Sequence, residues 1–412
     1  MNRRNFITYG SSLAALPLLS KYAHASASSV KSKSVVFLFL GGGPTHIELT
    51  HANPSLKSEQ RSVVGEIKSK IPGYFLGGLL PEIAKYSDKM NFVKSYGHTN
   101  ANHQNATYWQ FSGKQQNQLV QTEPSVGAIA AKIFGTNSLT NGIPTYLSIS
   151  KTDGENASWL GSSYNPFEAT EKGTRDLTLS ISEEKLQKRL DILESLELKN
   201  SWDTDKELTK ELRHRATDLI LGNTKKAFEI KYESDRMRDL YGRNFIGDSL
   251  LLSRRLIQNG GRFININYGG WDMHGNIKSS LESRVPPMDK AIAAFIQDIT
   301  SLGMEKDVLL IVTGEFGRTP KLNNGSPSGV GLPGRDHWAQ LCTLFTFGGN
   351  YEQGRVIGKS DRLESVREES PFEPKDLAYT MLNHLGVESN SLTFTDNSGR
   401  PRYATEGGKL IL

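Results

Sequence analysis

The stretch from Phe263 to Pro320 leaves few ways to fold. Phe263-Ile264-Asn265-Ile266-Asn267 alternates apolar and polar residues of β-favouring type and stops at Tyr268-Gly269-Gly270, which predicts a strand ending in a turn. Trp271-Asp272-Met273-His274-Gly275 comes next. Pro286 and Pro287 suit a helix start, and Met288, Ile292, Phe295, Ile299 and Leu302 recur three or four apart, so this helix should bury one face and stop at Gly303. Val308 to Thr313 is a continuous apolar run, as in a parallel strand covered on both faces, and it delivers Gly314-Glu315-Phe316-Gly317-Arg318-Thr319-Pro320. Strand, crossover helix and parallel strand make a right-handed unit with both turns at one sheet edge, where ligands bind in open α/β sheets. Asp272, His274 and Glu315 are therefore expected as neighbours.

The rest of the chain repeats the theme. Ser34 to Leu40 reads as a buried first strand ending in Gly41-Gly42-Gly43-Pro44-Thr45-His46-Ile47-Glu48-Leu49-Thr50-His51. The glycines allow close approach to an anion or simply a tight turn, but they lack the endings of a P-loop or a dinucleotide fingerprint. Asn91 to Lys94 predicts a short strand leading to His98 and then His103, at a loop-to-helix junction whose helix N-terminus would favour an anion. Glu123 to Phe134 reads as helix, Pro144 to Ile149 as strand and Gly154 to Phe167 as a surface loop. From Ser182 to about Gly260, charged helix-favouring segments predict a helical insertion beside the sheet. Lys321 to Pro333 is a loop delivering Gly334-Arg335-Asp336-His337-Trp338, Leu341 to Thr346 a strand, and Pro374 to Leu385 a final helix. The fold class is α/β: a mostly parallel sheet sandwiched between helices.

At the N-terminus, Asn2-Arg3-Arg4-Asn5-Phe6-Ile7 precedes an apolar stretch to Leu19 and then Ala23-His24-Ala25, the layout of a twin-arginine signal too short to span a membrane. The expectation is export through the twin-arginine machinery to the periplasm or beyond, with cleavage after Ala25 or Ala27 and no membrane-spanning segment in the mature chain. Cleavage removes Arg3, Arg4 and Lys21 but no acid, so the formal charge falls from +5 to +2. That near balance gives no footprint for nucleic acid. The single cysteine, Cys342, rules out an internal disulfide, which fits a chain folded before export.

Six of the nine histidines, at 46, 51, 98, 103, 274 and 337, fall in four Gly-flanked turns, each with Asp, Glu, Asn or Arg beside them, so they point to a site rather than to scattered core positions. His46, Glu48 and His51 lie within six residues. With Asp272, His274, Glu315, Asp336 and His337 they form a carboxylate and imidazole set suited to a divalent transition metal such as Zn²⁺ or Mn²⁺. Two such ions about 4 Å apart would serve phosphoryl or sulfuryl transfer. Arg318 and Arg335 are then candidates to grip the substrate oxygens, or else ordinary carboxylate-bridging arginines. Trp109, Trp271 and Trp338 adjoin the turns, where packing under a loop competes with stacking on substrate.

The motifs Gly41-Gly42-Gly43-Pro44, Gly270-Trp271-Asp272-Met273-His274, Glu315-Phe316-Gly317-Arg318-Thr319-Pro320 and Gly334-Arg335-Asp336-His337-Trp338 resemble an uncharacterised family of twin-arginine-exported bacterial proteins placed in the alkaline phosphatase and sulfatase superfamily. The resemblance implies an alkaline-phosphatase-like sheet with two metal sites at the strand ends. By similarity Asp272 and His274 supply one ligand pair, Glu315 a second position, His337 a third and Glu48 the last. Phe316 stands where a second-site histidine would be, unless His46, His51 or His103 substitutes. The superfamily nucleophile opens a helix ending in Thr-Gly; here the helix ends at Ser112-Gly113, and counting back reaches His103, or Thr107, but no serine. A sulfatase aldehyde would need a Cys/Ser-x-Pro/Ala-x-Arg context, which Cys342 lacks. The implied activity is metal-dependent hydrolysis of a phosphate or sulfate ester, by activated water or through His103. The alternative is a non-catalytic exported protein whose altered cleft holds an anionic ligand or glycan.

Overall fold

The computed structural model describes residues 33–116, 122–138, 142–170, 181–197, 217, 223–324 and 331–412. The expected signal segment at 1–25 lies outside the described residues, as does part of the 182–260 stretch.

Eight strands form the central sheet: β1 (Ser34–Phe39), β2 (Met90–Val93), β3 (Tyr146–Ser150), β4 (Phe167–Glu168), β5 (Phe263–Asn267), β6 (Val308–Thr313), β7 (Leu344–Gly348) and β8 (Arg355–Ile357). Their spatial order is β8-β2-β7-β6-β1-β5-β3-β4. Every neighbouring pair is parallel except the two that flank β7, which runs against β6 and β2. β1 sits at the centre because both of its faces are apolar: Val36 and Leu38 enter one core, Val35, Phe37 and Phe39 the other.

Helices cover both faces. α1 (His103–Ser112), α2 (Val126–Phe134) and α5 (Pro374–His384) lie on the Phe37 side; α3 (Phe245–Gln258) and α4 (Ile277–Ser301) lie on the Leu38 side. The α4 crossover carries the chain from β5 over β1 to β6, so both strands pair with β1 in parallel. Phe39 is level with Asn267 and with Thr313, and Thr313 with Leu344. The turns after β1, β5 and β6 and the approach to β7 therefore meet at one edge.

One boundary differs from expectation. α4 begins at Ile277, and Pro286 and Pro287 lie inside it. The carbonyls freed by the missing proline N–H groups belong to Glu282 and Ser283, on the exposed side, where water can satisfy them. Leu281 and Val285 extend the buried stripe of Met288, Ile292 and Phe295 by two turns, and that packing holds the helix together through the prolines. Within the 182–260 stretch, Glu183–Glu197 is helical, while α3 places Leu250, Leu251 and Leu256 in the main core.

Candidate metal centre

The turn after β1 is glycine for a steric reason. Gly42 and Gly43 have φ of +115° and +73°, and a Cβ on Gly42 would stand 2.6 Å from the backbone nitrogens of Trp271 and Asp272. One on Gly43 would meet the Phe316 ring at 2.5 Å. Glycine alone tolerates both the conformation and the approach, so the β1 turn rests directly on the β5 and β6 turns.

Arg318 ties these turns together. Its fully buried guanidinium donates to the carbonyls of Gly43 (2.8 Å), Gly42, Trp271 (3.3 Å) and Arg335 (3.1 Å), and to Asp272 Oδ1 at 2.5 Å. Gly317 and Arg318 also pair as a short antiparallel ladder with Trp338 and His337, which brings His337 to the same edge. Asn102 caps α1, its side chain accepting from the Asn105 N–H, and so sets His103 at the helix's positive end, facing the cluster.

Three imidazoles then share one arrangement. His274 Nδ1 donates to Asp336 Oδ1 (2.7 Å), His337 Nδ1 to the Ala101 carbonyl (2.9 Å) and His103 Nδ1 to Glu315 Oε1 (2.6 Å). Each ring thus has its outer nitrogen anchored on an oxygen and its Nε2 turned inward. The Nε2 atoms of His274 and His337 lie 3.0 Å apart, and 2.9 and 3.2 Å from Asp272 Oδ1. His103 Nε2 lies 3.5 Å from Asp272 Oδ2, buried and without a hydrogen-bond partner. Among the described residues, His103, Asp272 and His337 offer ligand atoms all within 4.8 Å of one another.

With the Nδ1 protons committed, neutral rings point lone pairs at a carboxylate. Converging acceptors need a cation between them, either protons or a metal ion, and the anchored outer nitrogens are how proteins orient metal-binding histidines. Three imidazoles and one carboxylate suit Zn²⁺ or Mn²⁺. Without an ion, protons must fill the gap. The neighbouring carboxylates of Asp272 and Glu315 raise the His103 pKa to about 9. At Asp272 partial burial pushes the other way, but His103, His337 and Arg318 outweigh it and hold the carboxyl well below its usual range.

Two of the expected ligands stand behind the imidazoles. Asp336 and Glu315 each spend one oxygen on anchoring a ring, of His274 and His103 respectively. Glu315 also accepts from the Gly42 N–H at 2.9 Å, while its Oε2 is buried without a partner. His98 fixes the same segment from below, donating from Nε2 to the Glu315 carbonyl at 2.5 Å and accepting from the Asn100 N–H at 3.1 Å. Burial lowers its pKa to about 4, so it is neutral.

The remaining expected residues lie elsewhere. Glu48 and Arg335 form a fully buried ion pair at 2.8 Å, and Arg335 gives its other donors to the carbonyls of Thr319, Pro320, Gln60 and Arg61. Neither can serve as expected, Glu48 as a ligand or Arg335 as a grip on substrate, because every donor and the charge are already matched inside the protein. Arg318 is likewise saturated. His46 binds the Glu364 carbonyl (2.9 Å) and His51 the Lys94 carbonyl (3.3 Å) through Nε2, so neither turns that nitrogen towards the centre. Burial drives the His46 pKa down to about 3 and that of His51 well below its usual value. Among the described residues one group of His and Asp side chains converges closely enough to hold an ion, where two sites were expected. Phe316 packs against His103 and His337 at ring separations of 4.8 and 4.5 Å.

The three tryptophans are packing residues: Trp271 and Trp109 are buried, and the indole N–H groups of Trp271 and Trp338 donate to the carbonyls of Tyr268 and Ser365. Sequence reasoning missed Asn323, which donates to the His274 carbonyl (2.9 Å) and to Asp336 (3.2 Å) from a loop with no distinguishing pattern. Asn102 was legible in principle as a capping residue ahead of a helix.

A family model described as "Protein of unknown function (DUF1501)" matches residues 32–412. The chain belongs to that family. No curated protein matches this DUF1501 chain. Among solved structures, it resembles the PsFucS1 sulfatase from Pseudoalteromonas sp. at 11% identity and a TM-score of 0.41, over 95% of this chain and 73% of that one. The lipoteichoic acid synthase LtaP from Listeria monocytogenes is similar at 11% identity and a TM-score of 0.41, over 96% and 79%. Alkaline phosphatase from the Antarctic bacterium TAB5 is similar at 14% identity and a TM-score of 0.38, over 87% and 99%.

Proposed function

We propose that the protein is an exported metal-dependent hydrolase of small anionic phosphate or sulfate esters, built on one transition-metal centre. The observation that carries this reading is the repeated anchoring of His103, His274 and His337 through Nδ1, with each Nε2 aimed at Asp272. His103, Asp272, His274 and His337 would hold the ion. A divalent Zn²⁺ or Mn²⁺ there would act as a Lewis acid on an ester oxygen.

The chain's own residues supply the rest. Glu315, Asp336 and Ala101 keep each imidazole proton on Nδ1 and so leave Nε2 bare. Arg318 keeps Asp272 ionised. The N-terminus of α1 presents its positive end beside His103, which favours an anionic group at that point. Hydrolysis then adds water to phosphorus or sulfur and releases the alcohol. A covalent route through His103 fits poorly, because its Nε2 already faces the Asp272 carboxylate.

Export rests on the Arg3-Arg4 leader pattern, and no helix among the described residues is long and apolar enough to cross a membrane. A second reading, a binding protein for an anionic ester or glycan, draws on Phe316 and on the absence of Ser or Thr at position 103.

Protein purified without chelator should carry about one equivalent of transition metal, and Asp272→Ala and His337→Ala should lose it. Aryl phosphates and aryl sulfates should be turned over by the wild type, with activity abolished by chelator and restored by Zn²⁺ or Mn²⁺. Full metal content in both variants sinks the centre. Metal binding with saturable ligand binding but no turnover selects the binding protein.

A further inference from the structure

A second group of oxygens lies inside the protein, away from the histidine cluster. Ser148 on β3 and Asn265 on β5 are register partners in the sheet, and both are fully buried. Glu155, from the loop after β3, reaches over them and is 4% exposed. One of its oxygens, Oε1, accepts from the Asn265 side-chain amide at 2.5 Å and from the Thr152 N–H at 2.9 Å. The Ser148 hydroxyl stands beside the carboxylate and favours its charged form.

Three buried oxygens are left without partners there: Glu155 Oε2, Ser148 Oγ and Asn265 Oδ1. The amide orientation of Asn265 follows from its bond to Glu155, since an ionised carboxylate only accepts. Asn267 Oδ1 is also buried and unpartnered; it lies two residues on along the same face of β5, towards Gly41 and the sheet edge. Among the described residues Glu155 has no ion-pair partner, and Lys151 instead meets Glu168 at the surface. Unpaired buried acceptors are costly, and a buried carboxylate without a counter-charge more so.

We propose that Glu155, Ser148 and Asn265 form a site for an alkali cation, Na⁺ or K⁺. Oxygen donors without nitrogen or sulfur select a hard cation over Zn²⁺ or Mn²⁺. Charge selects its valence. One carboxylate balances one positive charge, whereas a divalent ion would leave a net charge buried near Tyr146 and Phe111. The site would tie the loop after β3 to the sheet and so serve stability rather than turnover. Burial raises the Glu155 pKa to about 7, which is what a carboxyl lacking its counter-ion should do.

The test compares thermal unfolding of the full-length protein, loaded with Zn²⁺, in NaCl, KCl and choline chloride at equal ionic strength and pH 8. The wild type should unfold several degrees higher in NaCl or KCl than in choline chloride, because a ligand bound only to the folded state stabilises it. Glu155→Gln keeps the shape without the charge and should lose that difference. In ²³Na NMR, wild-type protein should broaden the sodium line, reversed by K⁺, and the variant should not. Equal unfolding temperatures in all three salts, or sodium broadening that Glu155→Gln leaves intact, would overturn the assignment in favour of a protonated Glu155.

Discussion

Asp336 separates a ligand from an orienting group. Its Oδ1 sits 2.7 Å from His274 Nδ1, on the side of the ring away from Asp272 and His337, and Asn323 steadies it at 3.2 Å. Asp336→Asn keeps the size and a hydrogen-bond-capable oxygen but loses the charge that favours the Nδ1–H tautomer. Removing such a partner typically lowers metal affinity 10- to 100-fold, or about 1.4–2.8 kcal/mol. Titrating metal-stripped protein with Zn²⁺ against a chromophoric chelator should therefore give a weaker but stoichiometric site in Asp336→Asn and no measurable site in Asp272→Ala. Complete loss in Asp336→Asn would make Asp336 a direct ligand. Unchanged affinity would mean that the contact with His274 is incidental and that the anchored imidazoles are not a metal-binding device.

Glu48→Gln strips the charge from a pair buried on both sides, and breaking such pairs costs about 3–5 kcal/mol, so denaturant unfolding should shift by that much while zinc stoichiometry stays at wild type. In metal-free protein, the raised pKa of His103 stabilises the fold fully below about pH 6.5 and loses that contribution as pH rises through about 9. The difference in stability between wild type and His103→Gln should shrink across that window, and a difference that grows with pH would refute the assignment. Because the same proton must leave before an ion binds, zinc affinity at the centre should climb about tenfold per pH unit up to about 9, as competition titrations can follow. Gly42→Ala should cost more than about 1 kcal/mol from its backbone conformation alone and should also displace Asp272, read as weakened metal binding.

The sheet was legible because its strands carry their own signal. Val35–Leu40 and Val308–Thr313 are unbroken apolar runs, and Phe263–Asn267 alternates. The early start of α4 was hidden, since two adjacent prolines look like a beginning and nothing local reveals that Leu281 and Val285 are buried. At the site, the turns were found but their members were not sorted. His46 and His274 both follow a strand by a few residues among glycines. What separates them is a carbonyl at Glu364, 318 residues from His46, against a carboxylate at Asp336, 62 residues from His274. Arg335 reads like a substrate grip until its burial against Glu48 is known. His103 stood out least, yet its helix cap places it in the cluster.

The bonds of Arg318 join residues 275, 46 and 17 positions apart in the chain, and His103 reaches Glu315 across 212. No fragment short of nearly the whole domain can thus assemble the pocket, and nascent or clipped chains should hold no ion there. Cooperative unfolding should therefore always release the ion, whereas a chelator can empty the site while the fold stands.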